Sequence, residues 1–386
     1  MITLVALFYI CVLALVLEYR MFDINNIQSN KHQKTINIIV IAIIILIAGT
    51  RNIGGTDYNV YKAVYNNVPK LNGYFADFNV LTDKYRVFGM DKGFLFFNSL
   101  CKTLRLSYYG FMLVHSTVII SIIYFVTRKY TNNYTIVIFI ILYKMFFYDF
   151  FVSMRQTITI AIFMFMIKDI EERNWKHYMV LWLLCYFCHA ASMMLLPVYF
   201  IGKLKLNKKL LIWLNIIFIP MIIVAYVGTP VLKLLDPILS FNIFGSEEIY
   251  EKADSLINGE SASAINWLHT AEYFGIMFFL VKFYDEIMEI SPKADTMIKL
   301  FLCLLPIFTL FRNYEILTRI KDYFTISYGF ILSYLCMVKN GKYRMFVNVA
   351  VVAWCGFGYF RYVKLFDNGA MKKYVSNILL GRSFFE

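Results

Sequence analysis

Apolar residues run through this chain in long blocks, with charged residues gathered between them. A membrane-crossing helix needs about 20 mostly apolar residues. Blocks of that kind lie near 1–17, 35–50, 109–127, 134–152, 154–168, 210–228, 265–283, 296–311, 318–337 and 344–363. The pattern predicts an all-α polytopic membrane protein with roughly ten to twelve spanning helices. The block 178–201 is different, because it carries His189 mid-length and Pro197 near its end. Asp91–Leu106 alternates apolar and basic positions at helical spacing, which predicts an amphipathic helix on the outer surface.

Basic residues between the blocks set the expected orientation. Short loops rich in Lys and Arg lie at 18–34, 128–133, 168–177, 202–209 and 339–344, and such loops stay on the cytoplasmic side. Strict alternation puts the first three inside but throws 202–209 outside. The conflict disappears if 178–201 is a broken or re-entrant pair folded back at His189. Broken helices at membrane depth line cavities or are buried in protein, so a cavity is expected there. The same alternation leaves two long external loops, near 51–108 and 229–264, within a single integral membrane domain covering 1–386. Long loops without secondary structure of their own are more often functional than idle.

Composition agrees with this reading. The 386 residues are 60% hydrophobic and 16% charged, against about 45–50% and about 25% in soluble chains. The formal net charge of +13 is spread through the loops, as a membrane protein requires, and does not indicate nucleic-acid binding. The N-terminal run lacks a basic n-region and a cleavage site, so it is expected to be a retained helix and not a signal peptide. Cys185, Cys188 and His189 come close to a metal set but lack further ligands. Buried apolar thiols are the expectation, with no metal and no cofactor.

Several costly charges fall on the outer side of the predicted topology. An ionisable group at membrane depth costs about 2.5–3.5 kcal/mol on insertion scales and usually serves a site. Arg51 and Asp57 follow the second block in GTRNIGGTDYNVY, and Arg155 and Gln156 open the block at 154. His189 marks the break, and Arg319 precedes Asp322 by one turn. His269 and Glu272 share a helix face, as mutual partners or as separate site groups. Arg51 could equally be snorkelling to headgroups, and Asp57 could be a turn or helix cap. Guanidinium groups suit bidentate recognition of phosphate, so Arg155, Arg319 and Arg51 are candidate pyrophosphate ligands, in that order. His189 leads as general base because imidazole titrates near working pH, followed by Asp57 and Glu272.

Four stretches carry a family resemblance: GTRNIGGTDYNVY (49–61), DKGFLFFNSL (91–100), MRQTITIAIFMFMI (154–167) with FCHAASMMLLPVYF (187–200), and TRIKDYF (318–324). Together they resemble the EpsG/Wzy-like family of bacterial polysaccharide polymerases. The resemblance implies a membrane glycosyltransferase of the broad GT-C type in the bacterial inner (cytoplasmic) membrane, with its active site facing the periplasm or exterior. It implies transfer of a growing glycan from undecaprenyl pyrophosphate to a sugar hydroxyl of the next lipid-linked repeat unit. It implies no metal or nucleotide-sugar requirement, and it implies flippase and chain-length regulator proteins as partners. Carried onto this chain, its motif positions are Arg51, Asp57, Asp91, Arg155, His189 and Arg319, with Gln156, Ser192 and Tyr323. A flippase or other transporter of lipid-linked oligosaccharide, or a polymer-to-acceptor ligase, is the alternative.

Overall fold

In an apolar surrounding, backbone N–H and C=O groups find partners only within their own helix. Among the described residues every named element is accordingly helical, and strand pairing is confined to single bridges at Arg51–Ser376 and Leu106–Phe385. The computed structural model describes residues 2–21, 27–53, 55, 57–76, 90–226, 265–312, 315–339 and 341–386. The loop expected at 229–264 lies outside them, as does 77–89 of the loop expected at 51–108. The chain divides into two compact units, Met1–Phe200 with Lys339–Glu386, and Ile201–Val338.

The first unit begins with α1 (Ile2–Met21), α2 (Ile27–Gly49), α3 (Tyr58–Asn67), α4 (Leu71–Ala76), α5 (Lys92–Thr103), α6 (Tyr108–Thr127) and α7 (Tyr134–Ile140). Residues 136–142 in and after α7 are all 0% exposed, as expected where a helix is apolar all round. α7 is shorter than the block at 134–152 predicts: a π turn at Ile141–Met145 and tight turns to Val152 follow it. The chain continues as α8 (Met154–Glu172) and α9 (Trp175–Cys188), then a 3-10 stretch at Ala190–Lys203. α9 ends at His189, whose backbone is extended at φ −162° and ψ 113°. The 3-10 stretch then runs back along α9. The Tyr178 hydroxyl donates to the Leu195 carbonyl at 2.5 Å, and the Tyr199 hydroxyl to the Arg173 carbonyl at 2.7 Å. The chain therefore folds back at His189, as the loop charges predict.

The second unit comprises α10 (Lys208–Tyr226), α11 (Trp267–Lys282), α12 (Tyr284–Ile290), α13 (Ala294–Leu302), α14 (Leu304–Phe308) and α15 (Glu315–Leu335). Its core is aromatic: Tyr273 stacks on Phe301 at 4.8 Å and on Phe308 at 5.2 Å between ring centroids. The block expected at 296–311 is divided by a turn at Cys303.

The last helix, α16 (Gly341–Leu365), returns to the first unit and packs on α1 and α7. Hydrogen bonds sort the connections of that unit into two ends. At one end Gln33 donates to the Asn132 carbonyl, Tyr130 to Glu171, and Tyr199 to Arg173. At the other, Arg51 reaches Phe151, Arg155 reaches Asp91, and residues 374–386 pair with Thr50 and Ser107. The basic loops at 128–133 and 168–177 thus share one end, and the costly charges share the opposite one.

Apolar side chains also face outward. On α9, Val180, Leu183 and Leu184 are exposed, and on α10 Ile212, Trp213, Ile216 and Ile223 are. Contiguous exposed apolar surface on helices calls for lipid or protein cover. By length and composition, Tyr108–Thr127 and Gly341–Leu365 qualify as spans among the described residues. Shorter apolar helices cover Ile2–Leu17, Gln33–Gly49, Tyr134–Met145 and Ala190–Lys203. The blocks expected to be single spans are shortened by local breaks at π, 3-10 and turn geometry, which apolar periodicity does not register.

Candidate active site

Asp91 stands immediately before α5, at its N-cap, yet its carboxylate makes no capping bond. It reaches across to two other elements. Oδ2 accepts from Arg155 Nη1 at 2.9 Å and from His189 Nδ1 at a longer 3.4 Å, and Oδ1 accepts from the Ala190 N–H at 3.3 Å. One carboxylate thus joins α5, the first turn of α8 and the fold-back after α9.

Local sequence makes that junction possible. A Cβ on Gly93 would stand 2.7 Å from both Cys188 Sγ and a ring carbon of Phe187, and 2.9 Å from the Phe187 carbonyl oxygen. Only glycine lets the first turn of α5 close against the last turn of α9. Below it, Phe94 is fully buried against Tyr61 of α3, with ring centroids 5.4 Å apart.

Arg155 sits where a helix dipole disfavours a cation, in the first turn of α8. Its ion pair with Asp91 offsets that cost, and the Tyr61 hydroxyl also hydrogen-bonds to it. Burial raises the Tyr61 pKa while the Arg155 charge opposes the rise, and the net shift is upward, so the phenol stays neutral. The side chains of Arg155, Asp91 and His189 are about one-fifth exposed, enough for a ligand to reach them. In the neutral tautomer whose Nδ1–H faces Asp91, the lone pair lies on Nε2.

The other predicted residues fall in different places. Asp57 is the N-cap of α3, one helical turn before Tyr61 and within electrostatic range of it. Gln156 is buried beside Arg155. Ser192 is fully buried just after the fold, and its hydroxyl has no hydrogen-bond partner among the described residues. Arg51 is 0% exposed. Its guanidinium donates to the carbonyls of Ala48 at 2.7 Å and Phe151 at 3.4 Å and lies over the Phe151 ring. Arg51 therefore holds the α2 exit together and offers no open surface.

In the second unit, His269 Nδ1 and Glu272 Oε2 meet at 3.4 Å, so these two are partners. Arg319 is exposed in the second turn of α15, Tyr323 is buried, and Asp322 lies 3.8 Å from Lys321 Nζ.

Sequence reasoning missed Tyr61 and gave Asp91 only a motif position. Tyr61 was legible as the residue one turn beyond Asp57 in TDYNVY, on the same face. Nothing local in the sequence places Asp91 against His189, since 98 residues separate them. The Cys185 thiol faces the Thr159 carbonyl and Met166, and Cys188 packs on Gly93. No cluster of three or more His, Cys, Asp or Glu that could hold a metal occurs among the described residues.

A model of the EpsG family matches residues 34–376. The chain belongs to the EpsG family. No curated protein and no solved structure matches it. The EpsG match covers every candidate residue from Arg51 to Tyr323 and runs to Ser376, which bridges back to Arg51. Membership supports a membrane protein of the polysaccharide-polymerase type.

Proposed function

We propose that this EpsG-family chain is a lipid-linked repeat-unit polymerase whose reacting groups are His189, Asp91 and Arg155. The observation that carries the reading is the single Asp91 oxygen shared by His189 and Arg155. The acceptor sugar hydroxyl attacks the anomeric carbon of the growing glycan as the bond to undecaprenyl pyrophosphate breaks. His189 Nε2 takes the hydroxyl proton, and Asp91 steadies the imidazolium that forms. The leaving pyrophosphate gains negative charge, which Arg155 stabilises through its guanidinium. Asp57 and Gln156 flank this centre. Within the second unit, Glu272, Arg319 and Tyr323 are proposed separately as substrate-contacting residues, and in the first unit Ser192 is proposed as support for the fold at His189.

On this reading the chain is one integral membrane domain of the GT-C type, crossing the bacterial cytoplasmic membrane many times. The end that carries Asp91 and Arg155 faces outward, and the basic loops face the cytoplasm. Flippase and chain-length regulator proteins are the proposed partners.

The test is the surface-glycan length distribution in cells lacking the gene, rescued with wild type, Arg155→Ala, Asp91→Asn or His189→Gln. Wild type should restore a long ladder. Well-expressed variants should leave single repeats, since losing one such group costs on the order of 100-fold or more in rate. A full ladder from Arg155→Ala and Asp91→Asn would remove these residues from the reaction. Single repeats that never reach the outer face would point to a flippase, and full-length polymer left on its lipid carrier to a ligase.

A further inference from the structure

At the end of the first unit that carries Asp91, two cations meet at one tyrosine. Lys62, on α3, donates from Nζ to the Tyr109 hydroxyl at 3.2 Å and lies 5.3 Å from the ring centroid. Arg382, exposed in the final segment, brings its guanidinium carbon to 5.9 Å from the same centroid. Arg382 also lies within electrostatic range of Tyr58, whose hydroxyl hydrogen-bonds to the Asn377 side chain. Lys102 reaches α3 too, but its ammonium is taken up by the carbonyls of Tyr65, Asn66 and Val68 at the helix end. Among the described residues, neither Lys62 nor Arg382 pairs with a carboxylate or donates from its side chain to a main-chain carbonyl.

We infer that Lys62, Arg382, Tyr58 and Tyr109 form a subsite for a negatively charged sugar of the glycan, one bearing a carboxylate or a phosphate; the assignment rests on the polymerase reading of the adjoining cluster. Cations that converge at a surface without an internal anion attract one from outside. Guanidinium and ammonium groups then hold it by charge-assisted hydrogen bonds. The two tyrosine hydroxyls add neutral partners for sugar hydroxyls. Two features favour a glycan over lipid headgroups. Tyr58 stands one turn before Tyr61, which hydrogen-bonds to Arg155, so a sugar held here lies near the proposed reacting groups. The exposed positions of α3 also include Asn59, Asn66 and Asn67, whose amides suit sugar hydroxyls, whereas the outward face of α9 offers Val180, Leu183 and Leu184. The consequence is one of specificity. The repeat unit carries a charged sugar, and the final segment, by presenting Arg382, takes part in selecting it.

The assignment can be read by binding, without any polymerisation. The probes are oligosaccharide fragments released by mild acid from the surface glycan of wild-type cells. They are titrated onto the full-length protein in phosphatidylcholine nanodiscs. The fragments should be retained on an anion exchanger and should bind. Removing their charge, by carboxyl reduction or by dephosphorylation, should weaken binding about tenfold, the worth of one charge-assisted hydrogen bond. Lys62→Gln and Arg382→Gln should each weaken binding of the untreated fragments to a similar degree, and Lys62→Arg should retain it. Neutral fragments would overturn the proposal and leave the polymerase reading intact. Absent binding, equal binding of charged and neutralised fragments, or unchanged binding in both Gln variants would also overturn it. Binding that disappears when phosphatidylglycerol is added to the nanodiscs would assign the patch to lipid headgroups instead. Charge-selective binding by a protein whose deletion leaves the glycan ladder unchanged would keep the subsite and remove the polymerase reading.

Discussion

Gly93 shows how much a single residue decides in this protein. Its missing side chain brings two helix ends together, and the juxtaposition of Asp91 with His189 depends on that approach. Gly93→Ala places a methyl group 2.9 Å from a backbone carbonyl that has little room to move. Overpacking of this kind costs about 1–3 kcal/mol. The expected outcome is a lower thermal midpoint in detergent and a shortened glycan ladder in cells. Unchanged values for both would mean that the contact yields freely and does not hold the site. Arg155, His189 and Asp57 were legible as candidates because a charge beside an apolar block is costly wherever it lands. The buried state of Arg51 was not legible, because the carbonyls it donates to come from Ala48 and from Phe151, a hundred residues away.

Among the elements, the fold-back at His189 and the final segment 374–386 do the most to order the end that carries Asp91 and Arg155. The first was readable from loop charges, because only an even number of crossings puts 168–177 and 202–209 on one side. The second carried no sequence signal, although it binds tightly. The Asn377 side chain donates to the Arg51 carbonyl at 2.5 Å, its N–H to the Thr50 carbonyl at 2.6 Å, and the Tyr374 hydroxyl to the Ile47 carbonyl at 2.7 Å. Asn377→Ala leaves a buried carbonyl without its side-chain partner, at a cost of about 1–3 kcal/mol. Thermal unfolding of the detergent-solubilised protein should therefore begin at lower temperature. An unshifted curve would show that water or the neighbouring chain replaces the bond. Extended segments of this type hold by backbone hydrogen bonds, which no hydrophobic period records.

At the scale of the whole molecule, the two ends of the first unit make the membrane orientation testable. Leu379→Cys lies in the exposed final segment, on the end that carries Asp91, and Lys176→Cys lies exposed in the first turn of α9 at the opposite end. A membrane-impermeant maleimide applied to cells with a permeabilised outer layer should label Leu379→Cys and spare Lys176→Cys until the inner membrane is opened. The reverse pattern would turn the end that carries Asp91 to the cytoplasm and exclude a periplasmic polymerase. The apolar blocks, the basic loops and the break at His189 are determined by the sequence alone, because hydropathy and loop charge are local sums that need no knowledge of neighbours. The meeting of Asp91, Arg155, His189 and Tyr61, the burial of Arg51 and the close approach at Gly93 were decided only by tertiary structure. Each depends on which helix ends approach across long stretches of chain, and on a glycine whose role appears only when its neighbour is known.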